Sequence, residues 1–194
     1  LALNADFGYD ARRAVWLAPG ARLDASAVAV EAPADDAGRI TALERHEGGT
    51  VHLEAAEGYV MGLAGSTIDV SGTRANLDVV VSSGLAGSRY QRLPIALDAG
   101  HIEIASSNGF SLASQFAAQA DASLGAAGGT LALTLDGELR RSNLTIFNAG
   151  GTAFPEQPLR LQLGSGATLF GGAAPAAIAD AQVGIGRFDQ QAFT

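Results

Sequence analysis

The chain contains no cysteine. Disulfide scaffolds and thiolate metal sites are thereby excluded, while the absence suits both a protein that crosses membranes unfolded and a cytosolic one. Lysine is missing too. All twelve basic residues are arginine, which reads as the coding bias of a GC-rich genome rather than as a site. Aromatic residues make up only 6% of the chain, too few for a bulky sandwich core. With a net charge of −8 and a pI of about 4.7, the chain lacks the basic footprint of a nucleic-acid binder. No apolar run reaches the ~18 residues of a spanning helix, so no membrane span is expected. No signal peptide precedes Leu1, and the chain opens on Leu rather than Met. It reads as one segment cut from a longer parent, with any targeting signal outside it.

Small residues fill the space that aromatics leave. There are 25 glycines and abundant alanine within a 47% hydrophobic composition, which suits stacked rungs with tight corners and a thin interior. The organising stretch is Gly48 to Gly72. Val51-His52-Leu53 and Ile68-Asp69-Val70 alternate apolar and polar residues, each bracketed by glycine, with Gly58-Tyr59-Val60 between them. Period-two alternation sends Val51 and Leu53 to one face and His52 to the other. Short strands broken by frequent glycine describe a chain that turns corners.

The pattern recurs. Gly49-x-Val51-x-Leu53 followed by Gly58-Tyr59 matches Gly100-x-Ile102-x-Ile104 followed by Gly109-Phe110 at the same separation. Asp-Ala/Val-Ser appears at Asp24, Asp69 and Asp121, preceded in the first two copies by Gly20-Ala-Arg-Leu and Gly65-Ser-Thr-Ile. Gly-Gly-Thr appears at Gly48, Gly128 and Gly150. Degenerate similarity at a few tens of residues is the signature of a solenoid. The fold class expected is all-β, a β-solenoid with loop excursions, with Asp24, Gly49, Gly58, Gly65, Asp69, Gly72, Gly100, Gly109, Asp121 and Gly129 as its turn and repeat residues.

Along the chain, residues 1–14 carry a rung end and a polar turn, and Val15-Trp16-Leu17 is a short strand. Trp16 reads as a core-end residue rather than a carbohydrate-binding one. Residues 31–47 are the first excursion, with a short hairpin or a helical turn, and Asp35-Asp36 within it is a hydrated acidic loop rather than a cation site. Residues 73–98 are the second, with a strand at Asp78–Val81 and a loop at Ser88–Pro94. Ser111–Gly125 is open to a helical reading through Phe116, Ala120 and Leu124, but the matching place of Asp121 favours strands. Strands follow at Gly129–Leu135, Asn143–Phe147 and Leu159–Leu163. Residues 171–183 form a corner or short helix, and Gly184–Thr194 begins a further rung.

The ordered matches Gly49-Thr-Val, Gly58-Tyr-Val, Gly65-Ser-Thr-Ile-Asp-Val-Ser-Gly72, Gly100-His-Ile-Glu-Ile, Gly109-Phe and Gly128-Gly-Thr-Leu-Ala-Leu-Thr-Leu135 resemble the filamentous haemagglutinin family. These are the secreted exoproteins of bacterial two-partner secretion. The closing Gly186-Arg-Phe-Asp189 is similar to that family's lead into a following rung. The resemblance is to a segment toward the C-terminal half of such proteins and covers most of the chain. It implies a right-handed parallel β-helix, a secreted or cell-surface location, and a role in adhesion. It further implies an outer-membrane transporter of two-partner secretion as partner of the parent protein, with the surface receptor unspecified. The family's secretion domain has no counterpart among these residues.

Chemistry is sparse. His46, His52 and His101 make no helical metal pair, and with no cysteine to assist, no metal site or cofactor is expected. A Gly-x-Ser-x-Gly elbow and a Walker loop are both lacking, and Gly184-Ile-Gly186 lacks a third glycine. Asp24, Asp69 and Asp121 admit two readings. One is the clustered acids of a β-helix polysaccharide lyase or hydrolase. The other is turn-capping by Asx side chains, which the following Ser favours. Asn143-Leu-Thr145 is a sequon that also occurs by chance. The reading is therefore a non-enzymatic piece of an adhesin shaft, against a lyase or an autotransporter passenger. Loops 31–47 and 73–98 are the expected contact elements.

Overall fold

The computed structural model describes residues 11–56, 58–85, 87–135, 159–164, 184–189 and 192–193. The expectations for residues 1–10, the strand and sequon at Asn143, the Gly150 marker and residues 171–183 lie outside them. The described strands are β1 (Val15–Leu17), β2 (Arg22–Asp24), β3 (Val28–Glu31), β4 (Leu43–His46), β5 (Thr50–Ala55), β6 (Tyr59–Gly62), β7 (Thr67–Asp69) and β8 (Arg74–Gly84). They continue with β9 (Gly87–Ala96), β10 (His101–Ser106), β11 (Gly109–Leu112), β12 (Gln115–Ala117), β13 (Thr130–Leu135), β14 (Arg160–Leu163) and β15 (Ile185–Phe188). Apart from two single-turn 3-10 helices at Ala11–Arg13 and Ala122–Leu124, the described secondary structure is all strand. The protein is all-β.

Three sheets are parallel and two are antiparallel hairpins. The parallel orders are β1-β6-β11-β15-β14, β13-β10-β5 and β12-β7-β2; the hairpins are β3-β4 and β8-β9. Outside the hairpins, consecutive strands from β1 to β13 thus fall into different sheets, and strands pair with their counterparts one pass later. Ile102 lies between Val51 and Leu131, Ile104 between Leu53 and Leu133, and Ile68 between Leu23 and Phe116. A bridge extends this last column to Phe193. Stacking like on like gives the middle pass apolar neighbours on both sides. Ile102 and Ile104 are accordingly buried outright, while Val51, Leu53, Leu131 and Leu133 on the flanking strands are only partly covered.

Core volume is balanced between passes rather than within them. Val60 stands beside Phe110, which stands beside Gly186, and Gly62 is followed in the same way by Leu112 and Phe188. A Cβ on Gly186 would meet the Phe110 ring, so the large residue of one pass fits where its neighbour is small. Phe116 and Phe188 close the centre with their rings tilted and 5.7 Å apart. β6 and β11 are buried on both faces. Trp16, half-buried on β1, lies beside Met61 on the face opposite the core residue Leu17.

Several sequence expectations need correction. The repeat aligns Gly58 with Gly109, but the backbone pairs Tyr59 with Gly109 and Val60 with Phe110. The corner between β5 and β6 is one residue longer than that between β10 and β11, so the register slips there. Gly109 fits its new place because any side chain would strike the Tyr59 ring and the Ile185 carbonyl. Asp24 does pair with Asp69, but Asp69 pairs with Ala117. Ser111–Gly125 does carry strands rather than a helix, the end of β11 and β12, but Asp121 lies beyond them and caps the 3-10 turn Ala122–Leu124. Ser88–Pro94 belongs to β9 rather than to a loop. A two-stranded ribbon leaves one side of each strand unpaired, and Pro94 is tolerated on such a strand. On β14, Leu161 and Leu163 are both exposed, so its alternation does not mark a core face.

Candidate functional site

Three segments leave the stack at one corner and return to it. The first departs after Ala25 and re-enters at Gly49, the second runs from Val70 to Gly100, and the third from Ala118 to Gly129. In each case the returning glycine donates its N–H to the carbonyl of the departing residue at 2.7 Å. Gly49, Gly100 and Gly129 also lie side by side in adjacent passes, and at Gly100 the approach is closest. An added Cβ there would overlap the Gly49 carbonyl oxygen, and one on Gly129 would meet the Gly100 carbonyl. Gly72 lies just outside this corner against the Leu97 carbonyl, and Gly58 against the Arg13 carbonyl. Gly65 closes a different corner at φ +87°, a left-handed turn that favours glycine.

Because the exits coincide, the excursions stack. The first is the β3–β4 hairpin, which begins at Val28, earlier than residue 31. The second is the longer β8–β9 hairpin, and the third is the short turn at Asp121. The loop of the first hairpin is fixed by Asp35. Its carboxylate accepts from the Ala37 and Arg39 N–H groups, both at 2.9 Å, and from Arg39 Nε at 2.7 Å. These hydrogen bonds, the Arg39 N–H first among them, hold the Asp35 carboxyl below its usual pKa. Ile40 then exchanges two hydrogen bonds with Asp78 of β8, and the Arg39 guanidinium stacks over Tyr90 of β9 at 4.2 Å. Arg74 of β8 binds Asp121 at 2.6 Å, linking the second excursion to the third.

The three aspartates share one local device. Asp24, Asp69 and Asp121 each accept the backbone N–H of the residue two positions on, Ser26, Ser71 and Ser123, at 3.0–3.1 Å. The Ser26 and Ser123 hydroxyls donate to the same oxygens. These bonds, with the nearby arginines adding to them, push the Asp24 and Asp121 carboxyls below the ordinary carboxylate pKa. Arg22 reaches Asp24 at 2.8 Å and Asp69 at 3.2 Å. Asp121 is not part of that pair.

The histidines face outward. His52 Nδ1 lies 3.0 Å from Glu103 and its Nε2 3.3 Å from Glu54. The hydrogen bond to Glu103, followed by that to Glu54, raises the His52 pKa. His101 stands beside Thr50 and Thr130 instead, bonding the Thr130 hydroxyl at 2.7 Å. His46 pairs with Glu44 on β4. Among the described residues no group of three His, Asp or Glu is arranged to hold a metal ion. None of the described helices is long and apolar enough to cross a membrane.

Between Asp78 and Arg89 the sequence VVVSSGLAGS carries no charge. Its described residues form the distal part of the β8–β9 ribbon, where Val80 and Val81 are half-exposed and Leu85 is fully exposed. Comparison of the chain with protein-family models, with curated proteins and with solved structures finds no match among any of them.

Proposed function

We propose that the chain is a non-enzymatic segment of a right-handed parallel β-helix, part of the shaft of a large secreted bacterial adhesin of the filamentous haemagglutinin kind. The observation that carries this reading is the three-fold parallel stacking of successive passes, with hairpins leaving at a single corner. Such a stack grows by repetition, because each pass bonds only to its neighbours, and it can fold progressively from one end. A rod of this kind holds distal regions away from a surface, and its excursions form a row along one side. The parent protein would reach the surface through an outer-membrane transporter of two-partner secretion.

Blotting source cells and medium with an antibody to this segment tests the proposal. A band several times larger than 19.6 kDa, at the surface or in the medium, is expected. A cytoplasmic band near the mass of this segment would refute it.

A second reading, a polysaccharide lyase, draws on Arg22 lying between Asp24 and Asp69. Against it, each carboxylate already binds its own turn and Arg22. The Asp24 pKa is also lowered, the wrong direction for a general acid. If the chain degraded an anionic polysaccharide and Asp69→Asn abolished that activity, the lyase reading would replace the first.

A further inference from the structure

Asn108–Gly109 is the only Asn-Gly step in the chain. In a free backbone such a step is reactive, because glycine leaves its amide nitrogen unhindered beside the asparagine carboxamide and lets the chain bring the two together. Here the step forms the corner between β10 and β11, and both neighbouring passes hold it. Asn108 is only 4% exposed. Its N–H donates to the Gly58 carbonyl of the preceding pass at 3.1 Å, and its carbonyl accepts from the Gly184 N–H at 2.6 Å. The Gly109 N–H, which carries the nitrogen that would react, donates to the Ser106 hydroxyl oxygen at 3.0 Å. Ser106 is itself buried, with its hydroxyl within reach of the Gly58 and Gly109 carbonyls. Packing dictates the glycine, since a Cβ at this position would meet the Tyr59 ring and the Ile185 carbonyl. The stack therefore requires a reactive step and keeps it closed.

We propose that Asn108 is a latent modification site, silent in the stacked protein and converted to aspartate or isoaspartate in copies of the chain that stay unfolded. The Gly109 nitrogen loses its proton to solvent base and attacks Cγ of Asn108. The new N–Cγ bond closes a succinimide, and the Cγ–Nδ2 bond breaks as ammonia leaves with a proton from water. Water then opens the ring at either carbonyl, so water is the only co-reactant. In the folded corner this path is barred twice: the Gly109 N–H is committed to Ser106, and the passes on either side fix the Asn108 backbone. The products do not fit back. Isoaspartate adds a methylene to the backbone between residues 108 and 109, which takes Gly109 out of register with Tyr59 and Ile185. Both products also place a carboxylate where the side chain is buried. The mark is one-way, and it withdraws chains that fail to stack.

Peptide mapping by mass spectrometry tests this on the full chain, aged at mildly alkaline pH in buffer and in urea. In urea, Asn108 should acquire the mass of a carboxyl, while Asn76, exposed on β8 and followed by the hindering Leu77, stays a carboxamide. In buffer the conversion should be slower by about a thousandfold or more, since only the small open fraction of molecules reacts. Chains aged in urea and returned to buffer should sort by gel filtration, with Asn108 intact in the refolded fraction and converted in the remainder. Ser106→Ala removes the acceptor of the Gly109 N–H and should speed conversion in buffer about tenfold. If that variant does not fold, the ratio of the parent's rates in the two solvents decides alone. Equal rates in buffer and urea, an Asn108 that survives urea unchanged, or converted residue 108 in refolded molecules would each overturn the inference.

Discussion

Replacing Gly100 by alanine should destabilise the protein far more than replacing its neighbour Gly49. Neither glycine has a positive φ, so the difference is one of space. The new Cβ on Gly100 would overlap the Gly49 carbonyl oxygen, a backbone atom that cannot rotate away. Relief requires the two passes to separate by roughly an ångström or more. Three hydrogen bonds cross that point: Gly100 N–H to Val70 O at 2.7 Å, His101 N–H to Gly49 O at 3.0 Å, and Thr130 N–H to Gly100 O at 3.2 Å. At ~1 kcal/mol net for each, their loss amounts to about 3 kcal/mol. Alanine's stiffer unfolded chain returns ~0.5–1 kcal/mol, leaving a net loss of about 2–3 kcal/mol. A Cβ on Gly49 would instead stand 3.3 Å from the Ala25 Cβ, so Gly49→Ala should stay within about 1 kcal/mol of the parent. In urea, with a slope of ~2–3 kcal/mol/M, Gly100→Ala should lower the midpoint by about 1 M. Equal midpoints for the two variants would refute the close-packed glycine column.

Two further predictions concern titration. The Asp24 and Asp121 carboxyls are depressed by their Ser26 and Ser123 partners. Their contribution to stability is therefore present above the unfolded value of about 3.9 and is lost as pH falls through the lower folded values. Asp121→Asn should flatten the acid limb of a stability–pH profile, and an unchanged limb would contradict the assignment. His52, raised by Glu103 and Glu54, behaves oppositely. Its contribution is complete below about 6.5 and disappears as pH rises through the higher folded value. By NMR it should titrate above that reference, and Glu103→Gln should move it back toward it; a titration indifferent to Glu103→Gln would rule out the pair.

The glycine and alternation signals carried much of the local architecture. Val51-x-Leu53 and Ile102-x-Ile104 do stack, and the Gly-Gly-Thr markers at Gly48 and Gly128 bring Thr50 and Thr130 to either side of His101. These features are visible because a stacked strand must repeat its inward residues. The misalignments arise where that constraint lapses. A corner may gain a residue without disturbing the strands, as it does before Tyr59, and sequence matching then pairs Gly58 with Gly109 wrongly. Asp121 satisfies the Asp-x-Ser pattern for the local reason that an Asx side chain caps a turn in any context, so the pattern does not report register. Both hairpins are legible as departures from the stack, the first also as a short hairpin or helical turn, but the second is not legible as a ribbon. Arg89, Arg92 and Pro94 made β9 look like a loop, whereas a ribbon with solvent on both sides needs little apolar alternation. The convergence of all three departures on one corner depends on Ala25, Val70 and Ala118, residues with no motif of their own.

The stacking register is the claim on which everything else depends, and the absence of cysteine makes it directly measurable. Thr50, His101 and Thr130 point outward in three adjacent passes, with His101 in the middle. Cysteines at adjacent in-register positions fall within the 4.4–6.8 Å range of Cα separations that a disulfide spans, whereas Thr50 and Thr130 are two strand spacings apart, about 10 Å. Under mild oxidation, Thr50→Cys with His101→Cys and His101→Cys with Thr130→Cys should each cross-link within one chain. Thr50→Cys with Thr130→Cys, and Thr50→Cys with Glu103→Cys, should not. Cross-linking of Thr50 to Thr130 or to Glu103 in preference to His101 would contradict the parallel stack.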